Sequence, residues 1–104
     1  MKKPKLVFSD AAVTDFLEQA EWYEGRSGAR LAKRWERAVT TSLFKLLKTP
    51  HIGARCHFAS DDLSNLRRIA IDGFPRHLIF YKAQGSEVLI IRIVHGARDL
   101  ERLF

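Results

Sequence analysis

Apolar positions follow two rhythms along the chain. From Asp10 to about Ser27, Val13, Phe16, Leu17, Ala20 and Tyr23 recur at steps of three and four, which predicts one face of an amphipathic helix. Ser27-Gly28 interrupts it. Leu31, Ala32, Trp35, Val39, Leu43, Leu46 and Leu47 then repeat the same spacing until Lys48-Thr49-Pro50 stops it, so a second helix follows and the pair forms a helical hairpin. Ahead of the hairpin, Leu6-Val7-Phe8 is a short apolar run predicted as a strand. It ends at Ser9, whose hydroxyl can cap the first helix by accepting one of its orphan N–H groups. Pro50 to Asn65 shows no period and is rich in Gly, Ser, Asp and Asn, a connecting loop. Leu66–Ile71, Arg76–Lys82 and Glu87–Val94 read as strands. The segments between them, Asp72-Gly73-Phe74-Pro75 and Ala83-Gln84-Gly85-Ser86, are turn signals, which predicts an antiparallel meander.

The order is strand, helix, helix, strand, strand, strand, with a short C-terminal helical turn expected over Arg98 to Phe104. A helical hairpin can bury its apolar seam only against another layer. The expected architecture is therefore a two-layer α+β sandwich, with the N-terminal strand and the hairpin packed on one face of an antiparallel sheet, and residues 1–104 forming a single domain. Trp22 and Trp35 fall at helical spacing among apolar residues, so both are expected in the core. The first helix carries Asp10, Asp15, Glu18, Glu21 and Glu24, and the second Arg30, Lys33, Arg34, Arg37, Lys45 and Lys48. The two arms are expected to complement one another in charge, selecting register more than supplying stability.

Composition narrows the class. With 46% apolar and 29% charged residues the chain should fold throughout its length. A net charge of +6 favours anionic partners, and 11 arginines against 7 lysines favour recognition over mere solvation, because the guanidinium fork pairs carboxylates and phosphates bidentately. Cys56 is the only cysteine, which excludes an internal disulfide and suits a reducing, cytoplasmic setting. His51 and His57 flank it without forming a trustworthy metal-ligand spacing, and no glycine-rich phosphate loop is present, so neither a metal nor a cofactor is expected. The basic start Met1-Lys2-Lys3-Pro4-Lys5 leads into too few apolar residues for a signal segment or a membrane span.

The chemistry concentrates at the end of the last strand, where Arg92, His95, Arg98 and Asp99 interrupt and close an otherwise apolar run. Desolvating a guanidinium costs several kcal/mol unless it is paired or opens onto a site. Strict alternation puts Val88, Ile90, Arg92 and Val94 on one face and Leu89, Ile91, Ile93 and His95 on the other. In the preceding strand His77, Ile79 and Tyr81 alternate with Arg76, Leu78, Phe80 and Lys82, and Arg67 and Arg68 point to opposite faces. One reading is a ribonuclease, with His95 or His77 as base, Arg92, Arg98 and Arg68 clamping the phosphorane, and Tyr81 beside them. A purely structural reading has His95 ending its strand on a nearby carbonyl or on Asp99, Arg92 paired to an acid on a neighbouring element, and Arg98-Asp99 starting a helical turn. A third is a basic nucleic-acid-binding module in which Arg67, Arg68, Arg76 and Arg92 track phosphates.

The whole chain resembles the ParE branch of the ParE/RelE toxin superfamily of bacterial type II toxin–antitoxin systems. The likeness rests on Leu6-Val7-Phe8-Ser9 followed by two helices with Phe16, Tyr23 and Trp35, on Leu66-Arg67-Arg68-Ile69, on Phe74-Pro75-Arg76-His77-Leu78-Ile79-Phe80-Tyr81, and on the ending Ile91-Arg92-Ile93-Val94-His95-Gly96-Ala97-Arg98-Asp99. The last two segments are the most specific. The resemblance implies a small plasmid- or chromosome-encoded toxin, inert while bound to its cognate antitoxin, whose ParE-type members poison DNA gyrase and block replication. RelE-type members instead cleave mRNA on the ribosome, and one scaffold serves both activities. In the ParE reading Arg67, Arg68, Arg76, Arg92, His95 and Arg98, with Leu100, Leu103 and Phe104, form the surface that engages gyrase or antitoxin. The antitoxin is expected to present an acidic amphipathic segment that folds on binding. In the ribonuclease alternative His95, Arg92, Tyr81 and Arg68 form the site.

Overall fold

The computed structural model describes residues 3–56 and 65–96. Its elements run β1 (Lys5–Phe8), α1 (Asp10–Ser27), α2 (Ala29–Lys48), β2 (Ala54–Arg55), β3 (Arg67–Ile71), β4 (Phe74–Gln84) and β5 (Glu87–His95). The expected α+β order is present. The strands form one sheet in the order β1-β5-β4-β3-β2, so the N-terminal strand lies beside the last one. β2 to β5 pair antiparallel, and β1 joins β5 in parallel.

Local chemistry accounts for the boundaries. Ser9 has extended backbone, and its hydroxyl accepts the Ala12 N–H at 3.0 Å, the predicted cap of α1. Gly28, at φ 89°, is the single residue between the helices, a conformation that costs glycine little and other residues more. The turns are tighter than the sequence suggests. β4 already starts at Phe74, leaving Asp72-Gly73 as the connection, and Gln84 pairs with Glu87 across Gly85-Ser86. Gly85, at φ 58°, supplies the positive φ at the first central position that a twist-matching two-residue hairpin requires, and Gly73, at φ 83°, follows Asp72 in the other turn. The segment expected as a loop over Pro50–Asn65 also contains β2, whose two residues pair with Arg67 and Arg68. The expected helical turn over Arg98–Phe104 lies outside the described residues.

The core sits between the hairpin and the sheet. Trp35, Val39 and Leu46 of α2 pack with Ala12 of α1 and with Ile71, Ile79, Tyr81, Val88, Ile90 and Ile93 of the strands. α2 presents its predicted face to the sheet, but α1 is turned. Ala12 is buried and Phe16, Ala20 and Tyr23 pack against the cluster, whereas Val13 and Leu17 are 46% and 59% exposed. Periodicity groups Val13 and Leu17 with Phe16, Ala20 and Tyr23 on one face and does not reveal this rotation. Trp35 is fully buried, but Trp22, expected in the core, is 49% exposed and carries the Arg26 guanidinium 5.1 Å over its ring.

The expected pairing of helix charges is not realised: among the described residues no ion pair joins α1 to α2. Asp15 of α1 instead pairs with Arg92 of β5, and Lys45 of α2 with Asp72 in the β3–β4 turn. Exposed side chains pair weakly, so the charge pattern of two helices does not dictate which partners meet.

A candidate binding groove at the end of the last strand

Strict alternation fails in β5. Phe80 pairs with Arg92 but Tyr81 pairs with Ile90, so Ile91 is an extra residue, a β-bulge. Val88 and Ile90 face the helices before the bulge and Ile93 after it, which puts Arg92 and Val94 in register with Phe80 and Leu78 on the other side. The expected face shared by Val88, Ile90, Arg92 and Val94 is therefore broken in the middle.

The bulge is anchored from α1. The Ser9 hydroxyl donates to the Ile91 carbonyl at 2.6 Å, and the Ser9 N–H donates to the Ile90 carbonyl. The Asp15 carboxylate takes Arg92 Nε and Nη2 at 2.7 and 2.8 Å and the Ile93 N–H at 3.0 Å. Both side chains are largely withdrawn from solvent, and the hydrogen bond to Asp15 holds the guanidinium pKa above its ordinary value. The salt-bridge reading of Arg92 is the one that the geometry shows.

Next along the edge, His77 and His95 face each other across β4 and β5 with ring centroids 4.7 Å apart. His77 is buried among Tyr23, Trp35 and Phe74, and its Nε2 shares a 2.7 Å hydrogen bond with the Tyr23 hydroxyl, while Nδ1 has no hydrogen-bond partner among the described residues. Burial pushes the His77 imidazole down from 6.5 to about 4, and His95 adds to the shift. His77 is thus neutral at physiological pH. His95 is exposed, at the mouth of a groove of about 710 Å³ lined by α1 residues Asp15, Glu18, Gln19, Trp22, Tyr23 and Ser27 and by Ile93 to Gly96.

The remaining predicted site residues disperse. Arg67 donates to the His51 and Gly53 carbonyls and ties the chain after α2 to β3. Arg68 is exposed and in register with Phe80, and Arg76 is exposed near the start of β4. Tyr81 is fully buried in the helix-side core, where its hydroxyl accepts the Gly53 N–H at 2.8 Å and burial raises its pKa. Tyr81 and His95 are four strand positions apart, ~13 Å, and Arg68 points away from Tyr81. His95, Arg92, Tyr81 and Arg68 therefore do not converge. Arg98, Leu100, Leu103 and Phe104 lie outside the described residues. Asp15 and Glu18, read in the sequence only as charges facing the second helix, and Trp22, expected in the core, line the groove instead; nothing local marks them.

The structure superposes on a chain of the chromosomal ParDE toxin–antitoxin system from P. aeruginosa with a TM-score of 0.73 at 16% identity, covering 91% of this chain and 98% of that one. It superposes on the YoeB/ParE toxin from Agrobacterium tumefaciens with a TM-score of 0.55 at 18% identity, covering 89% and 99%. No curated protein sequence matches. The ParE toxin family of the type II toxin–antitoxin system parDE matches residues 6–100, and the chain belongs to it.

Proposed function

We propose that this chain is the poison of a parDE pair, acting on DNA gyrase to block replication, and that a cognate antitoxin neutralises it through an acidic amphipathic segment. The observation that carries this reading is the ParE family match over residues 6–100. The dispersal of the ribonuclease set supports it: Arg92 is engaged by Asp15 and the Tyr81 hydroxyl by Gly53, so neither is poised for phosphodiester chemistry. A net charge of +6 suits an acidic partner segment, and Arg68 and Arg76 are exposed to meet one. We place its action in the cytoplasm; among the described residues no helix is long and apolar enough to cross a membrane. Stabilising the replicon that carries the pair is the corresponding biological role.

Induced expression without antitoxin tests the target. Growth arrest with altered plasmid supercoiling, a DNA damage response and stable mRNA is the expected result. Rapid codon-phased mRNA cleavage with normal supercoiling would overturn it in favour of the ribosome-dependent endoribonuclease.

A further inference from the structure

β1 covers β5 only as far as Ile90, where Phe8 is its last partner. Past that point no strand among the described residues pairs with the outer edge of β5. The Gly96 N–H donates to the Arg76 carbonyl, so His77 and His95, and likewise Ile79 and Ile93, are pairs whose own backbone groups point away from the facing strand. On the α1 side Asp15 takes the Ile93 N–H, as the carbonyl of a neighbouring strand would. The next two groups in line, the Ile93 carbonyl and the His95 N–H, have no hydrogen-bond partner among the described residues. An unpaired strand edge of this kind is a template for one more strand.

The groove beside this edge has a charge unlike that of the chain. Its charged lining residues are Asp15 and Glu18, in a protein of net charge +6. Arg92 pairs with Asp15 and also attracts Glu18, so two carboxylates face one guanidinium and the exposed Glu18 keeps the groove net negative. Trp22, half exposed on the same wall, already accepts the Arg26 guanidinium over its ring. A second copy of the chain is a poor occupant, because +6 opposes +6 and β1 is already paired.

We propose that this groove receives an extended segment of a partner protein, added to β5 in line with β1, hydrogen-bonding the Ile93 carbonyl and the His95 N–H and placing a Lys or Arg on Glu18. The proposal rests on reading the chain as a protein-binding toxin. Strand addition takes affinity from the main chain and selectivity from alternate side chains, here the residue that meets Glu18. The site shares His95 with the surface expected to engage gyrase or antitoxin, but it selects a basic residue through Glu18 where that surface selects acidic ones.

The test uses the full-length, isotope-labelled chain and two blocked peptides, Val-Lys-Val-Lys-Val and Val-Glu-Val-Glu-Val, followed by NMR. The lysine peptide should shift the His95 amide and slow its exchange with solvent, and the glutamate peptide should bind about tenfold or more weakly. His95→Pro removes the outward N–H while leaving the pairing with β4, and Glu18→Lys reverses the exposed charge. Each should weaken the lysine peptide by about tenfold. Glu18→Lys carries the test if the proline variant does not fold. Equal binding of the two peptides, preference for the glutamate peptide, an unmoved His95 amide, or a His95 shift that follows protein concentration without peptide would each overturn the proposal. Because the supercoiling assay uses no peptide, loss of the gyrase reading and loss of this one are told apart.

Discussion

Asp15 of α1 holds Arg92 of β5 through both carboxylate oxygens and takes the Ile93 N–H with one of them. One side chain thus serves as counter-ion to a withdrawn guanidinium and as acceptor for a strand that has run past its neighbour. Asp15→Ala would strand both groups, with an expected loss of about 2–4 kcal/mol. Asp15→Asn keeps an oxygen for Ile93 and should lose less, about 1–2 kcal/mol. Urea midpoints of the two variants check this, and equal losses would show that the Ile93 hydrogen bond contributes nothing.

His77 makes stability pH-dependent with a defined sign. Its folded-state pKa of about 4 lies below the ordinary 6.5, so the unfolded chain binds the proton more readily. Stability is full above pH 6.5, falls as the pH drops towards 4, and levels off below, by on the order of 3 kcal/mol in all. His77→Phe should flatten that slope while lowering stability at pH 7 through loss of the Tyr23 hydrogen bond. A wild-type slope retained in the variant would place the titrating group elsewhere.

Tyr81 and Gly53 meet tightly. Tyr81→Phe leaves a buried N–H unpaired and should cost about 1–2 kcal/mol in thermal or urea unfolding. Gly53→Ala would set its Cβ 2.5 Å from the Tyr81 hydroxyl and 2.9 Å from the Arg68 carbonyl, and backbone cannot yield as a side chain can. A loss of about 1–3 kcal/mol is expected.

Ser9 joins two structures with one hydroxyl, accepting from Ala12 and donating to Ile91. Ser9→Ala should cost about 1–2 kcal/mol, at the upper end for an N-cap because the bulge loses its anchor too. Amide exchange localises the effect: opening should increase at both Ala12 and the bulge, and a change confined to α1 would contradict the coupling.

His95 separates the two toxin mechanisms. If His95 is a ribonuclease base, His95→Ala should abolish mRNA cleavage and toxicity together. In a gyrase poison mRNA should stay intact with wild type and variant alike, whatever the variant does to growth arrest through the binding surface.

The strong signals in the sequence were local ones. Helical periodicity, the Ser9 cap, and the glycines at 73 and 85 each specify geometry within a few residues, and the helices and hairpins followed them. What depended on distant partners was not legible. The parallel pairing of β1 with β5 leaves no mark on Leu6-Val7-Phe8, and β2 is too short to have a period. The bulge at Ile91 sits in an unbroken apolar run, where an extra isoleucine looks like any other, yet it reverses every face assignment after it. Arg92 and His95 stood out as charge in an apolar strand. The partner of Arg92, Asp15, and that of His77, Tyr23, did not, since an acid and an aromatic on a helix are ordinary until the sheet behind them is known.

The strand order also bears on how the molecule is made. Among the described strands β1 lies at the edge with β5 as its neighbour, and the Ser9–Ile91 hydrogen bond spans 82 positions. During synthesis the first strand and the hairpin behind it emerge with no sheet to lie on, and their seam stays uncovered until almost the whole chain has left the ribosome. A chain built this way cannot mature piecemeal: its folded form exists only once translation has reached the final strand.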